Sequence, residues 1–317
     1  MTALTETFTG AATATDVSLE PLPLWDALLE RWIAFCDVRK GSRETYRRAV
    51  NAFLAWLRAE GITTPDREDV ICWRESLRES HKATTITNYL TAVRMFFRWL
   101  SSEGLFRDIA DHVKPPKVTA GHKKDYLTSA QAHSVLEGID TATVKGLRDY
   151  AIIGLMLTTG LRTIEVSRAD VQDIRTAGDS VVLYVQGKGR DEKAEYVKLA
   201  PQVEKAIRAY LKTRGAVAGD DPLFASTSNH GFGGRMSTKS ISTLAKASMV
   251  NVGLESDRLT AHSMRHTAGT LALLRGASVR EVQQLLRHSN INTTMMYAHD
   301  LDRAANKAEI TVANAVF

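Results

Sequence analysis

Apolar residues recur every three or four positions along most of this chain, which predicts a mainly α-helical protein. In residues 21–113 the pattern is clear around Tyr46, Phe53 and Leu57, which share one helix face, and Gly61 follows as a C-terminal cap. Four amphipathic helices of this kind predict a small all-α domain. Their predicted ranges are 22–38, 42–60, a segment that follows Pro65, and 84–101.

The second part of the chain combines helical periodicity with short strand-like stretches. Residues from Val144 to Thr159 are apolar on nearly all sides, which predicts a buried helix. Three strands are predicted at 171–174, 180–186 and 194–199, and the G-K-G-R-D-E-K sequence between the last two suits a hairpin. We therefore expect an α-rich domain with one small antiparallel sheet. Its other helices are predicted at 128–138, 202–213, 238–252, 260–275, 279–288, 292–298 and after Leu301.

A short basic segment separates the two patterns. Residues 114–124 contain two prolines, one glycine, four lysines and no acidic residue, whereas the whole chain has a formal net charge of only +5. This composition predicts a semi-extended linker, and its charge indicates contact with a polyanion, although a solvated linker explains it equally well. The predicted divisions are a disordered tail at 1–20, a helical domain at 21–113, the linker at 114–124 and a second domain at 125–317.

The polar faces of the N-terminal helices are candidates for contact with DNA. Arginine, threonine and asparagine side chains donate hydrogen bonds to phosphate oxygens, although exposed charge on a helix more often serves only solvation. The candidate contacts on the helices and the linker are Arg43, Arg47, Arg48, Thr87, Asn88, Thr91, Arg94, Lys114, Lys117, Lys123 and Lys124.

Composition narrows the class of protein further. A hydrophobic content of 44% and a charged content of 24% are typical of a soluble globular protein. Neither a secretory signal nor a run of about 18 apolar residues is present, so we expect no membrane association. Cys36 and Cys72 are the only cysteines, which argues against a disulfide scaffold or a zinc site and favours the cytoplasm.

Polar side chains in the C-terminal part suggest phosphate chemistry. His262 and Arg265 are three residues apart on a predicted helix, close to its start, where free N–H groups favour an anion. Tyr297 is a candidate nucleophile for a phosphate bound there. The histidines at 262, 266, 288 and 299 are alternative metal ligands, but the neighbouring arginine disfavours a cation, so we expect no metal.

Two positions outside this region are ambiguous by themselves. Arg162 comes shortly after the predicted buried helix, and a plain ion pair with Glu165 explains it as well as a phosphate site does. Lys188 lies between two glycines at the hairpin tip, where a lysine is usually a solvated turn residue, and no P-loop surrounds it. His288 comes shortly after Leu285 and Leu286, so the alternative to a role in the site is a place in the hydrophobic core.

Five short motifs together resemble the motif series of the tyrosine recombinases, the family of phage integrases and Xer/Cre-type enzymes. In order they are T-G-L-R-T-I-E-V, the G-K-G hairpin, H-S-M-R-H, L-L-R-H-S-N and T-T-M-M-Y-A-H. The resemblance covers residues 127–300, and the first helices and linker are more loosely similar to the core-DNA-binding domain of the family. Met264 replaces the usual leucine with little change of volume. Arg287 replaces a usual glycine and adds a cation near the site.

The resemblance implies a fold and a set of roles. The fold is the recombinase catalytic fold behind a four-helix DNA-binding domain. Two arginines would clamp the scissile phosphate, the lysine would protonate the leaving 5′-oxygen, and the tyrosine would attack. The first histidine would handle the tyrosine proton, the second would bind the phosphate, and a glutamate would support the site. The residues at these positions are Arg162, Lys188, His262, Arg265, His288 and Tyr297, with Glu165 as support.

The implied function is site-specific recombination of double-stranded DNA. Strands would be exchanged between two core sites through a 3′-phosphotyrosine intermediate and a Holliday junction, by a homotetramer or heterotetramer. No cofactor is expected, since the phosphotyrosyl bond keeps the energy of the broken phosphodiester. Residues after Leu301 would dock on a neighbouring subunit or pack on their own domain. The alternatives are a type IB topoisomerase and a non-catalytic DNA-binding protein of recombinase descent, and the biological role (integration, chromosome-dimer resolution or transposon resolution) stays open.

Overall fold

The chain forms two compact units, Met1–Gly121 and His122–Phe317. The computed structural model describes residues 23–117, 125–187, 190–229, 231–305 and 308–316. The predicted tail at 1–20 therefore lies outside the described residues, as do Lys123, Lys124 and Lys188. The finer domain boundaries expected from composition stay predictions.

The N-terminal unit is a helical bundle around an aromatic core. Phe96 lies between two tryptophans, with ring centroids 6.4 Å from Trp25 and 5.4 Å from Trp32. The apolar faces expected from the periodicity therefore meet in one core, and the predicted four-helix domain is confirmed. Its elements are α1 (Pro23–Phe35), α2 (Lys40–Ala59), α3 (Arg67–Ser76), a 3₁₀ turn (Leu77–Glu79) and α4 (Ala83–Ser102).

The C-terminal unit is organised around one buried helix. Helix α6 (Val144–Thr159) has completely buried side chains on several sides, among them Ile152, Ile153 and Met156. It ends at Gly160, whose φ of 62° reverses the chain. The predicted buried helix is thus confirmed. The other helices are α5 (Ser129–Glu137), α7 (Thr163–Arg168), α8 (Pro201–Arg214), α9 (Thr238–Val250), α10 (Ala261–Leu274), α11 (Val279–Leu286), α12 (Ile291–Ala305) and α13 (Ala308–Val316).

A small antiparallel sheet, in the order β1-β2-β3, completes this unit. Strands β1 (Ile174–Ala177), β2 (Ser180–Val185) and β3 (Glu195–Lys198) pair in register, with Leu183 opposite both Ile174 and Val197. The predicted sheet and the overall fold class are therefore confirmed.

The strand predicted at 171–174 is wrong. Residues Val171–Asp173 form a 3₁₀ turn, and the strand begins only at Ile174. The Asp173 carboxylate accepts the N–H of Asp170 at 2.7 Å, which closes the turn. Lys193, from the end of the hairpin loop, bridges the carboxylates of Asp170 and Asp173. Polar contacts to distant residues thus override the local apolar pattern.

Helix α7 was not expected from the periodicity. It has only six residues, Thr163–Arg168, too few to show a repeating apolar face. Within the described ranges, no helix is long and apolar enough to cross a membrane.

Candidate active site

Arg265 lies at the centre of the predicted site. It stands in the first turns of α10, which begins after the N-cap Thr260, as expected. Its side chain is only 1% exposed and donates to the carbonyl oxygen of Gly160 at 2.5 Å and to that of Leu286. Burial, together with the nearby Arg162 and Arg287, lowers the pKa of Arg265 to about 9. The guanidinium is still protonated at neutral pH, so it can bind an anion.

Arg162 and Glu165 form the ion pair that the sequence allowed. The Arg162 guanidinium donates to Glu165 Oε1 at 3.1 Å, and its backbone N–H donates to Oε2 at 2.7 Å. Glu165 is completely buried, whereas 30% of the Arg162 side chain is exposed. The pair and a phosphate site are therefore compatible, because the carboxylate holds Arg162 from the inside and leaves part of it open.

Three of the matched residues share an open cleft. Arg162, His262 and Arg265 line a cavity of about 1000 Å³. His262 is exposed at the start of α10, and its ring centroid lies 4.9 Å from that of His266, one turn later. Lys239 and Lys246 on α9 also line this cavity. The cleft therefore combines cations with a face open to solvent, as binding of a polyanion requires.

Tyr297 packs beside two histidines. Its ring centroid on α12 lies 4.9 Å from that of His266 and 6.2 Å from that of His288. Burial raises the pKa of Tyr297, whereas the charges of Arg265 and Arg162 oppose that shift. The phenol is therefore protonated at neutral pH and needs a proton acceptor before it can act as a nucleophile.

His288 is half-buried and neutral. Its Nδ1 lies 2.8 Å from Oγ1 of Thr294. Burial lowers the pKa of His288 to about 4, and the neighbouring Arg265 and Arg162 add to the shift. A neutral imidazole presents one N–H donor, which can reach a phosphate oxygen without adding charge.

Lys188 lies outside the described residues, but the structure shows how the residues on either side of it are held. The side-chain amide of Gln186 donates to the carbonyl oxygens of Arg190 and Asp191 at 2.9 and 3.0 Å. Lys193 ties the far end of the loop to Asp170 at 2.5 Å. Both flanks of the hairpin tip are thus anchored.

Two contacts around the site were not predicted from the sequence. Lys246 on α9 donates to the carbonyl oxygens of Ser256 and Leu259 at 2.6 and 3.2 Å, which fixes the segment that leads into α10. Arg287 donates to Glu165 across 122 residues of sequence. A lysine on a helix ordinarily faces solvent, so no local signal marks Lys246, whereas for Arg287 the sequence showed the replaced glycine but not the group that the arginine contacts.

The candidate DNA contacts of the N-terminal unit differ in their exposure to solvent and in the partners that their side chains already have. Arg47 pairs with Glu30 and Glu44, which raises its pKa, and Arg43 donates to the carbonyl oxygen of Cys36 at 3.1 Å. The hydroxyls of Thr87 and Thr91 bond backbone carbonyls one turn earlier, and Arg94 is half-buried. The candidates exposed to solvent are Arg48, Asn88, Thr91, Lys114 and Lys117.

Comparison with known proteins decides the family. Residues 125–303 match the phage integrase family model, and residues 28–104 match its N-terminal SAM-like domain. The chain belongs to the phage integrase family of tyrosine recombinases. Tyrosine recombinase XerD of Lacticaseibacillus casei is 31% identical over 281 residues, covering 86% of this chain and 93% of the relative. Tyrosine recombinase XerC of Herpetosiphon aurantiacus is 30% identical over 308 residues, covering 90% and 96%.

Solved structures of tyrosine recombinases have the same fold. The XerH site-specific recombinase in a post-cleavage complex with palindromic difH substrate gives a TM-score of 0.69 at 20% identity, covering 83% of this chain and 78% of that one. The Tn1549 transposon integrase with transposon right end DNA gives 0.67 at 18% identity, covering 90% and 100%. With the family model and the Xer relatives, the expected enzyme class is confirmed: the chain is a tyrosine-type site-specific recombinase.

Proposed function

We propose that this recombinase cuts and rejoins double-stranded DNA at a core site through a 3′-phosphotyrosine intermediate. The observation that supports this most strongly is the grouping of Tyr297, His288 and Arg265. Arg265 stands on α10, Tyr297 on α12 and His288 in the loop between α11 and α12, yet Arg265 acts electrostatically on the pKa of both of the others. A buried phenol beside a buried guanidinium is a favourable arrangement for attack on a phosphate that the guanidinium holds.

Cleavage would proceed by in-line substitution at phosphorus. Arg162 and Arg265 bind the non-bridging oxygens, where negative charge accumulates in the transition state. Oη of Tyr297 forms a bond to phosphorus, and its proton passes to His262. The bond between phosphorus and the 5′-oxygen breaks, and that oxygen takes a proton from Lys188. One phosphodiester bond replaces another, so the step is balanced without ATP or a metal-activated water.

Rejoining would reverse these steps with a different strand. The free 5′-hydroxyl of a partner site attacks the phosphotyrosine, which releases Tyr297 and forms the recombinant strand. Two such exchanges pass through a Holliday junction and require four active sites, so we propose a tetramer, of identical or of two related subunits, on two DNA sites. Helix α13 exposes Ile310, Val312 and Val316, which supports docking of this helix on a neighbouring subunit.

The DNA partner is supported by the relatives. The XerH structure is bound to difH substrate, and the Tn1549 integrase is bound to transposon right end DNA. In this chain the cationic cleft of the C-terminal unit and the exposed lysines at 114 and 117 would contact the DNA backbone.

The test starts from the DNA that the protein selects. Fragments retained by the purified chain are sequenced to define the site, and a duplex with that site and a nick near the cleavage position traps the covalent adduct. We expect a protein adduct at the new 3′ end of the cleaved strand with the natural chain and none with Tyr297→Phe. An adduct that survives this substitution would overturn the assignment of the nucleophile.

A second assay separates recombination from topoisomerase activity. Two plasmid sites with distinguishable flanks are incubated with the protein, and recombinant joints are measured together with loss of supercoils. Recombinants at the selected site support the proposal. Relaxation of plasmids with no recombinants, and without need for a second site, would identify a type IB topoisomerase instead.

A further inference from the structure

Arg287 occupies a backbone position that favours glycine. It ends α11 with φ 52° and ψ 48°, in the left-handed region. Glycine adopts this conformation freely, whereas a residue with a Cβ does so at a cost in free energy. Within the described ranges, His112 is the only other non-glycine residue with positive φ. Any gain that Arg287 brings to the protein must therefore come from its side chain.

That side chain is buried beside the proposed catalytic arginines. Only 5% of it is exposed, and its guanidinium donates to Glu165 Oε2 at 3.0 Å and to the carbonyl oxygen of Leu285 at 2.8 Å. The next carbonyl, of Leu286, accepts from Arg265. Consecutive carbonyls at the end of α11 thus hold two guanidiniums side by side.

One buried carboxylate therefore serves two arginines. Glu165 is completely buried and accepts three hydrogen bonds, two from Arg162 and one from Arg287. A pair of Arg162 and Glu165 alone would be neutral. With Arg287 there are two positive charges and one negative charge, so the group has a net charge of +1. Because Glu165 and Arg287 are buried, solvent and salt screen this charge difference only weakly, and it acts on a phosphate bound at Arg162.

The exposures of the two arginines separate their roles. Arg162 is 30% exposed and lines the open cleft, whereas Arg287 is 5% exposed and does not line it. Arg162 can therefore reach a phosphate, and Arg287 acts from behind the carboxylate. Its charge also contributes to the lowered pKa values of Arg265 and His288.

We propose that Arg287 is a positioning residue for strand cleavage, which shares Glu165 with Arg162 and so keeps the clamp both aligned and positively charged. The inference rests on the proposed function. It predicts that this chain depends on a cation at a position where the family pattern has glycine.

The test compares three substitutions at Arg287 by the single-turnover rate of adduct formation on the nicked duplex. Arg287→Ala and Arg287→Gly are expected to cleave about 10- to 100-fold more slowly, somewhat less than loss of a group that binds the oxyanion directly. Arg287→Lys, which keeps the charge, is expected to recover most of the rate. The glycine variant also relieves the backbone, so a purely conformational role for Arg287 predicts an undiminished rate. Wild-type cleavage by Arg287→Gly would overturn the proposal.

A double-mutant cycle tests whether Arg287 acts through the carboxylate. In a Glu165→Gln background, removal of Arg287 is expected to slow cleavage by no more than about 3-fold, because the shared group is already gone. An equal effect in both backgrounds would contradict the proposal. Arg280→Ala, which removes an exposed arginine from the same helix, is the matched control and is expected to cleave normally. If the natural chain forms no adduct, the proposed function itself fails. Normal adducts with unaffected Arg287 variants would refute only this inference.

Discussion

The guanidinium of Arg265 donates a hydrogen bond at 2.5 Å to the carbonyl oxygen of Gly160, a residue 105 positions earlier. A second hydrogen bond reaches the carbonyl of Leu286 at the end of α11. One side chain thus joins the ends of α6 and α11 and, in the proposed mechanism, also binds the scissile phosphate. Structure and catalysis are therefore coupled at this residue.

Replacing Arg265 with lysine is expected to disable the site although the charge is kept. An ammonium group cannot span both carbonyls, and arginine and lysine are not interchangeable where a planar fork is used. We expect adduct formation to slow by about 10²- to 10³-fold and the free energy of unfolding to fall by about 1–3 kcal/mol. Single-turnover cleavage and urea titration measure the two effects. Cleavage within a few-fold of the natural rate would rule out a bidentate role.

A side chain at Gly160 should destabilise the protein. Its φ is +62°, and an added Cβ would lie 2.5 Å from Cδ2 of Leu286. Gly178 has a similar φ of +58° but open space around it, so Gly178→Ala is the matched control for the backbone cost alone. We expect Gly160→Ala to lose about 1–3 kcal/mol more of the unfolding free energy than the control, through overpacking. Equal losses in urea titrations would show that the contact with α11 is unimportant.

The protonation of His288 should make stability depend on pH. Its pKa is about 4 in the folded protein, because of burial and the nearby arginines, against an ordinary value of about 6.5 in the unfolded chain. The unfolded state therefore binds more protons between these values, so the contribution of His288 is complete above about pH 6.5 and is lost as the pH falls toward 4.

The contribution of His288 is expected to be about 1–2 kcal/mol, after allowance for its partial exposure. Unfolding free energies from pH 4 to 7 would be compared between the natural chain and His288→Gln, which has no ionisable group at this position. The natural chain should lose more stability than the variant as the pH falls. If the unfolding free energies of the two chains changed equally with pH, a neutral His288 at pH 5 would be contradicted.

The proposed role of Lys188 as a general acid predicts a specific chemical rescue. Lys188→Ala should cleave ordinary DNA very slowly, because the departing 5′-alkoxide then lacks a proton. A duplex with sulfur in place of the bridging 5′-oxygen should restore cleavage, since a thiolate with a pKa of about 8.5 leaves without protonation. Tyr297→Phe should remain inactive on the same duplex. If the sulfur substrate restores nothing, Lys188 binds or positions DNA rather than donating the proton.

The local sequence alone predicts most of the architecture. Helices such as α2, α4 and α6 follow from apolar periodicity, because amphipathic or buried faces leave a repeating pattern within a few turns. The spaced motifs indicated the family and the candidate residues. Helix α7 escaped prediction because six residues are too few to show a period, and the strand expected at 171–174 is a turn closed by Asp173.

Only the tertiary structure decided which hydrogen bonds connect the residues of the site. Two of its contacts join residues more than 100 positions apart. Arg287 donates to Glu165, which also holds Arg162, and Arg265 donates to the carbonyl oxygen of Gly160. Such contacts depend on the packing of α6, α10 and α11, which no local pattern encodes. The departure from glycine at 287 was visible in the sequence, but its meaning was not. It became interpretable only when folding placed that guanidinium against a buried carboxylate.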